Sequence, residues 1–302
     1  MRVFNFFLIC LFSLPLSAKE WMLDLHISSG YNNNVFLQDD LNQSIDDNGT
    51  NITEDIQSEF LIDTSYKILS FQNSDVKFML AYELEYLKDN DISSALIDFA
   101  IPFSYYLKQT RFRLTPSVAR YSSQGEKILS YKGIGFDITR KINWFRLGGF
   151  YNYQISDALN ENYDAYEGIS HDFHLQLEKL SYSQRIAYKI GYFKQDYIET
   201  LDGDESHMGY YASASFTAKL KRWEINLNAK IKQRNYVIDP LDNVNRRDML
   251  VTSSIMPSYR ISPSTKLFYT IRFSKNISNQ NSETDNMNYT QWLNEIGISL
   301  SF

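Results

Sequence analysis

The sequence predicts an all-β chain, a closed antiparallel transmembrane β-barrel of about fourteen strands in an up-and-down meander. Three observations carry this. Segment after segment beyond residue 20 alternates apolar and polar residues with a period of two. The connections between segments alternate between short turns and mostly longer, acidic stretches. Aromatic residues make up 15% of the 302-residue chain, Tyr alone occurring 22 times, and they gather near segment ends. Tyr has an apolar ring and a polar tip, which suits a membrane–water interface.

The first segment puts Trp21, Leu23, Leu25, Ile27 and Tyr31 on one face and Asp24, His26 and Ser28 on the other. The second sets Ile56, Phe60, Ile62, Tyr66 and Ile68 against Gln57, Glu59, Asp63 and Lys67. The third sets Val76, Phe78, Leu80, Tyr82, Leu84 and Tyr86 against Lys77, Glu83 and Glu85. A helix would scatter these sets around its circumference, whereas a strand separates them. The same pattern places later strands near 94–107, 111–121, 129–140, 144–155, 166–178, 181–197, 209–219, 223–236, 248–261, 265–277 and 290–302. Pro102, Pro116 and Pro257 fall inside these strands, where each removes a ladder hydrogen bond. Pro102 and Pro116 flank the turn at 108–110 symmetrically, so they are expected to face each other across a bulge or bend.

Short connections fall at 70–74, 108–110, 141–143, 179–180, 220–222 and 262–264, several of them basic. The other set includes 32–55, with six carboxylates and no Lys or Arg, and 196–208, also acidic. Short turns on one side and long loops on the other are the expected barrel asymmetry. Phe71, Tyr105, Trp144, Tyr182, Trp223, Tyr259 and Phe302 lie near the short-turn side. Tyr31, Tyr86, Tyr121, Tyr131, Tyr153, Tyr192, Tyr210, Tyr236 and Trp292 lie near the long-loop side. The two sets predict a double aromatic girdle.

Residues 1–18 read as an export signal: Arg2, a mostly apolar run from Val3 to Leu16, and a small residue at Ala18. The remaining domain is 19–302. Cys10 lies within the signal, so the mature chain is expected to have no disulfide and no thiol chemistry. The mature charge is 29 basic against 36 acidic residues, or −7, which argues against a nucleic-acid partner. A mean hydropathy of −0.37 argues against a bundle of membrane helices. Alternating lipid-facing and lumen-facing residues average to such a value.

Strand parity assigns Glu59, Asp63, Glu83, Glu85, Arg111, Arg113, Arg185, Lys189, Lys230, Lys232, Arg234, Arg260, Lys266 and Arg272 to the lumen. Ionised groups cannot lie dry and unpaired, so such a lumen holds water or a dense salt-bridge network. Acidic and basic groups come from different sectors of the wall, which implies a transverse field acting on polar solutes. The expected function is a monomeric, porin-like channel for small hydrophilic solutes, with a slight preference for anions.

The last eight residues, Glu295 to Phe302, resemble the targeting signal of outer-membrane barrels, with Glu295, Gly297, Leu300 and Phe302 at the defining positions. That resemblance implies recognition by the outer-membrane barrel assembly machinery, hence a Gram-negative outer membrane. The asymmetry of short turns and long loops places the N-terminus in the periplasm and the acidic loops outside, with lipid and lipopolysaccharide as the expected surroundings. Gly30-Tyr31-Asn32-Asn33-Asn34-Val35-Phe36 is similar to the opening of barrels of the surface lipoprotein assembly modifier type. Those proteins carry a helical-repeat domain for which this chain has no room, and Asn32 replaces their usual acidic residue. The barrel architecture is carried over, and the export activity is not. A surface-interaction or export barrel is the second functional class.

No catalytic constellation, cofactor or metal site is expected. His26 and Ser28 share a strand face as in some outer-membrane phospholipases, but on the lumen side and without a third partner. His171, Asp172 and His207 could suggest a rim protease. Asp202-Gly203-Asp204-Glu205 offers oxygen ligands without the spacing of a calcium loop. The solvated reading is preferred for each.

Overall fold

The computed structural model describes residues 21–33, 55–88, 92–160, 163, 166–197, 206–236, 246–279 and 288–302. Among them run fourteen strands. The first seven are β1 (Trp21–Asn32), β2 (Asp55–Phe71), β3 (Ser74–Leu87), β4 (Ile92–Ala100 and Phe103–Leu107), β5 (Thr110–Ser123), β6 (Glu126–Ile142) and β7 (Phe145–Ala158). The others are β8 (Gly168–Leu180), β9 (Gln184–Tyr197), β10 (His207–Leu220), β11 (Trp223–Tyr236), β12 (Arg247–Ser262), β13 (Thr265–Ser278) and β14 (Tyr289–Ser301). Each pairs antiparallel with its sequence neighbours, and β1 pairs with β14 from Asp24↔Ser301 to Asn32↔Leu293. The sheet therefore closes with no free edge, which is how strands satisfy every backbone group inside a bilayer. The expected signal at 1–18 and the motif at 202–205 lie outside the described residues, as do most of the 32–55 connection and Asn34 to Phe36.

Proline accounts for the main irregularity. The strand expected as continuous over 94–107 is broken at Ile101-Pro102. Both halves still pair with β3 and β5, so they form one stave with a bend. Pro102 and Pro116 do not face each other: the Ile101 amide donates to the Pro116 carbonyl at 3.1 Å, offsetting the prolines by one residue. Pro257 pairs with Ile225 on one side, while the ladder to β13 stops at Ile255 and resumes at Ser258. A residue with no N–H can satisfy only one neighbour there. One connection on the long-loop side proves to be a two-residue turn, Gln124-Gly125, with φ of 50° and 81°. Positive φ at both positions is what a type I′ hairpin requires.

The register separates two faces without ambiguity. One carries a belt of exposed aliphatics and aromatics, including Ile27, Ile97, Ile134, Leu175, Ile190, Ile231, Leu267 and Ile296. The other carries nearly all the strongly buried side chains, among them Phe193, Phe268, Leu293, Glu178 and Asp248. In a single-layer barrel, large side chains are buried that deeply by their neighbours on the concave side. The second face is therefore the inward one, and the first meets lipid. The short-turn girdle is outward at Phe71, Tyr105, Trp144, Trp223 and Phe302, each well exposed. On the long-loop side the expectation needs correcting. Tyr121 and Tyr131 share the face of Ala119, and Tyr236 shares that of Arg234, so these three point inward. Position near a strand end does not decide the face; parity does.

Candidate functional site: the inward face of the barrel

The register chain places all fourteen lumen candidates on the inward face. Glu59 pairs with Glu85, Leu61 with Glu83 and Asp63 with Ala81, while Asp24, His26 and Ser28 continue that face on β1. Arg111 and Arg113 lie on it in β5, and Arg185 and Lys189 in β9. Lys230, Lys232 and Arg234 lie on it in β11, Arg260 in β12, and Lys266 and Arg272 in β13.

Contacts divide these residues into two populations. Asp137, with its side chain 6% exposed, is gripped by Arg113 and Arg111, the latter at 3.0 Å. Glu178, fully buried, accepts from Arg146 at 3.0 Å and from Arg185 Nε. Glu224 bridges Lys219 and Lys266, each at 3.5 Å. All three carboxylates sit toward the short-turn end, and each binds two cations. The sequence reading did not single out Asp137, Glu178, Glu224, Arg146 or Lys219. Only Glu224 shares a strand and its parity with candidates that were singled out, Lys230, Lys232 and Arg234; the other four become visible through the register, Asp137 opposite Arg113, Arg146 opposite Glu178 and Lys219 opposite Glu224.

The acidic sector behaves differently. Asp24, Glu59, Asp63, Glu83, Glu85 and Glu295 lie on β14, β1, β2 and β3, four consecutive strands. Among the described residues none of them has a cationic side chain within 4.0 Å. Glu295 accepts from Ser28 Oγ, at 3.3 Å. On the opposite wall, Lys189, Lys230, Lys232 and Arg234 likewise have no carboxylate within that distance among the described residues. Two of these ammonium groups lie over rings instead, Lys232 at 3.8 Å from the Phe193 centroid and Lys230 at 5.0 Å from that of Tyr211.

The weaker chemical candidates come apart on inspection. His26 stacks on Phe268 with centroids 4.3 Å apart, while Ser28 turns to Glu295, so the two make no nucleophile–base contact. His171 and Asp172 are adjacent in a strand and therefore face opposite sides. His171 meets the Tyr151 hydroxyl at 2.9 Å on the outward face. Asp172 instead lies 3.1 Å from His174 Nδ1 and accepts from the Tyr211 hydroxyl at 3.0 Å. His207 packs its ring against Phe193 and Tyr236.

The four positions of the terminal pattern have distinct surroundings. Glu295 is buried on the inward face and Leu300 is outward, paired with Leu25. Gly297 lies opposite Phe268, whose ring covers it. A Cβ there would collide with that ring and with the Ile27 carbonyl oxygen. Phe302 ends the chain, its amide bonded to the Leu23 carbonyl at 2.9 Å.

No family model and no curated protein matches the chain. Solved structures do. A loop L8 deletion mutant of OmpT, an outer membrane protein of Vibrio cholerae, superposes with a TM-score of 0.54 at 7% identity, over 94% of this chain and 98% of that one. An anion-selective porin from Comamonas acidovorans gives 0.51 at 10% identity, over 93% and 98%. A bacterial polysaccharide outer membrane secretin gives 0.50 at 9% identity, over 94% and 98%. At these identities the likeness is one of fold. The chain has the architecture of outer-membrane porins and related barrels.

Proposed function

We propose that this barrel is a monomeric outer-membrane channel through which small hydrophilic solutes diffuse, with no catalytic step of its own. The observation that carries the reading is the unpaired acidic sector. Six carboxylates on four adjacent strands of a concave wall, with no cationic side chain within 4.0 Å among the described residues, need water to stay ionised. Fourteen strands enclose more space than the eight whose interior side chains fill, and less than the sixteen that leave a wide aqueous channel. A narrow wet lumen fits both facts.

Charge on opposite walls produces a field across that lumen, which orients dipolar solutes as they pass. Lys189, Lys230, Lys232, Arg234 and Arg272 support a slight preference for anions. The short turns face the periplasm and the long acidic loops face outward, where they meet lipopolysaccharide. The Glu295–Phe302 pattern addresses the chain to the barrel assembly machinery.

Liposome swelling tests permeation directly. Vesicles carrying the folded protein are expected to swell in small sugars or amino acids and to exclude a large dextran. Reversal potentials in a salt gradient test the ion preference, and clear cation selectivity would refute it.

A further inference from the structure

At the short-turn end, the hairpins β10–β11 and β12–β13, with Tyr182 and Ser183 of the turn between β8 and β9, enclose a cavity of about 440 Å³. Lys219, Lys221, Arg222, Arg260 and Lys266 line it, with Glu224 as its one carboxylate. Glu224 is already committed, because it holds Lys219 and Lys266 at 3.5 Å each. Those ion pairs bridge β10 and β13 and fix two ammonium groups at the cavity wall. Lys221, Arg222 and Arg260 have no carboxylate within 4.0 Å among the described residues. The Arg260 amide donates to the Arg222 carbonyl at 2.8 Å, which ties the turn to β12 where both arginines line the cavity.

We propose that this cavity is a binding site for a phosphate-bearing anion. Five cations against one carboxylate leave a surplus of four positive charges in a recess, where low-dielectric walls concentrate the field. An anion carrying two or more charges compensates that surplus better than a single carboxylate. Guanidinium forks match phosphate oxygens in pairs, and lysines add point charges around them. Lys219, Glu224, Arg260 and Lys266 all project from the inward face, so a soluble phosphate reaches the floor of the cavity more readily than a headgroup held in the surrounding lipid. The site does not depend on whether the barrel conducts.

The test is calorimetric titration of inorganic pyrophosphate into the full-length barrel in phosphatidylcholine nanodiscs. One saturable site is expected. The double variant K221Q/R222Q, altered only in an exposed turn, and separately Arg260→Gln, are each expected to weaken binding about tenfold or more. Lys189→Gln, on the same face but outside the cavity, leaves it unchanged. Repeating the titration in phosphatidylglycerol nanodiscs identifies the source. Unaltered affinity supports a soluble phosphate, and abolished binding supports a phosphate site claimed by lipid headgroups. No saturable binding in phosphatidylcholine, or equal affinity in all three variants and the parent, overturns the proposal.

Discussion

Glu59 and Glu85 stand directly opposite each other across β2 and β3, both on the inward face, and the register makes them a cross-strand pair. Like charges in that relationship repel, typically by about 0.2–1 kcal/mol. Glu85→Gln removes the repulsion while keeping an acceptor for a hydrogen-bond partner. The variant is expected to be as stable as the parent, or more so by up to about 1 kcal/mol. Its reversal potential is expected to move toward anions. Urea unfolding in lipid vesicles reads the first effect, and a clear loss of stability would mean that Glu85 makes an attractive contact instead.

Glu178 presents the opposite case. It is fully buried between Arg146 and Arg185, whose side chains are 45% and 57% exposed. Removing one arginine leaves the carboxylate paired with the other, so Arg146→Gln is expected to cost little. Glu178→Gln removes the shared charge. Water screens the two arginines, which reduces the cost below that of a fully buried pair, to about 1–3 kcal/mol. The urea midpoint should therefore fall much further for Glu178→Gln than for Arg146→Gln. Equal shifts would show that the two arginines do not share one partner.

Gly297 lies at the seam where β14 meets both β13 and β1, under the Phe268 ring. Gly297→Ala forces either the ring or the Ile27 backbone to move, an overpacking cost of about 1–3 kcal/mol. The expected result is slower folding into vesicles and a lower urea midpoint, with partial relief in G297A/F268A. Relief is only partial because the Ile27 carbonyl remains in the way. A single variant that folds and resists urea like the parent contradicts the close approach.

Orientation is testable with single cysteines, since the one cysteine of the sequence, Cys10, precedes the first strand. Asn143 lies in a short turn and Asn160 beyond the far end of β7. An impermeant maleimide added to intact cells should label Asn160→Cys and leave Asn143→Cys unlabelled until the outer membrane is opened. The reverse pattern would invert the proposed topology.

The architecture was legible because a closed barrel writes a period of two into every strand. Closure of Trp21–Tyr31 against the last strand follows from the same pattern and appears as the Leu25↔Leu300 pairing. What parity did not reveal was partnership. Arg111, Arg113, Arg185 and Lys266 look like free positive charge in the sequence, but each is paired with Asp137, Glu178 or Glu224. Which cation meets which carboxylate depends on register between strands, and a single sequence fixes register only weakly. The bend at Ile101-Pro102 was expected from proline chemistry, but the one-residue offset from Pro116 was not, for the same reason. Tyr121, Tyr131 and Tyr236 were misassigned because nearness to a strand end was given more weight than their place in the alternation.

Single-channel recording in a planar bilayer tests the central claim most directly. Purified, heat-modifiable barrel is expected to produce discrete, ohmic current steps in simple salt, and Glu59→Gln with Glu85→Gln is expected to alter their ion selectivity. Folded protein that inserts into the bilayer yet passes no current would contradict a water-filled lumen.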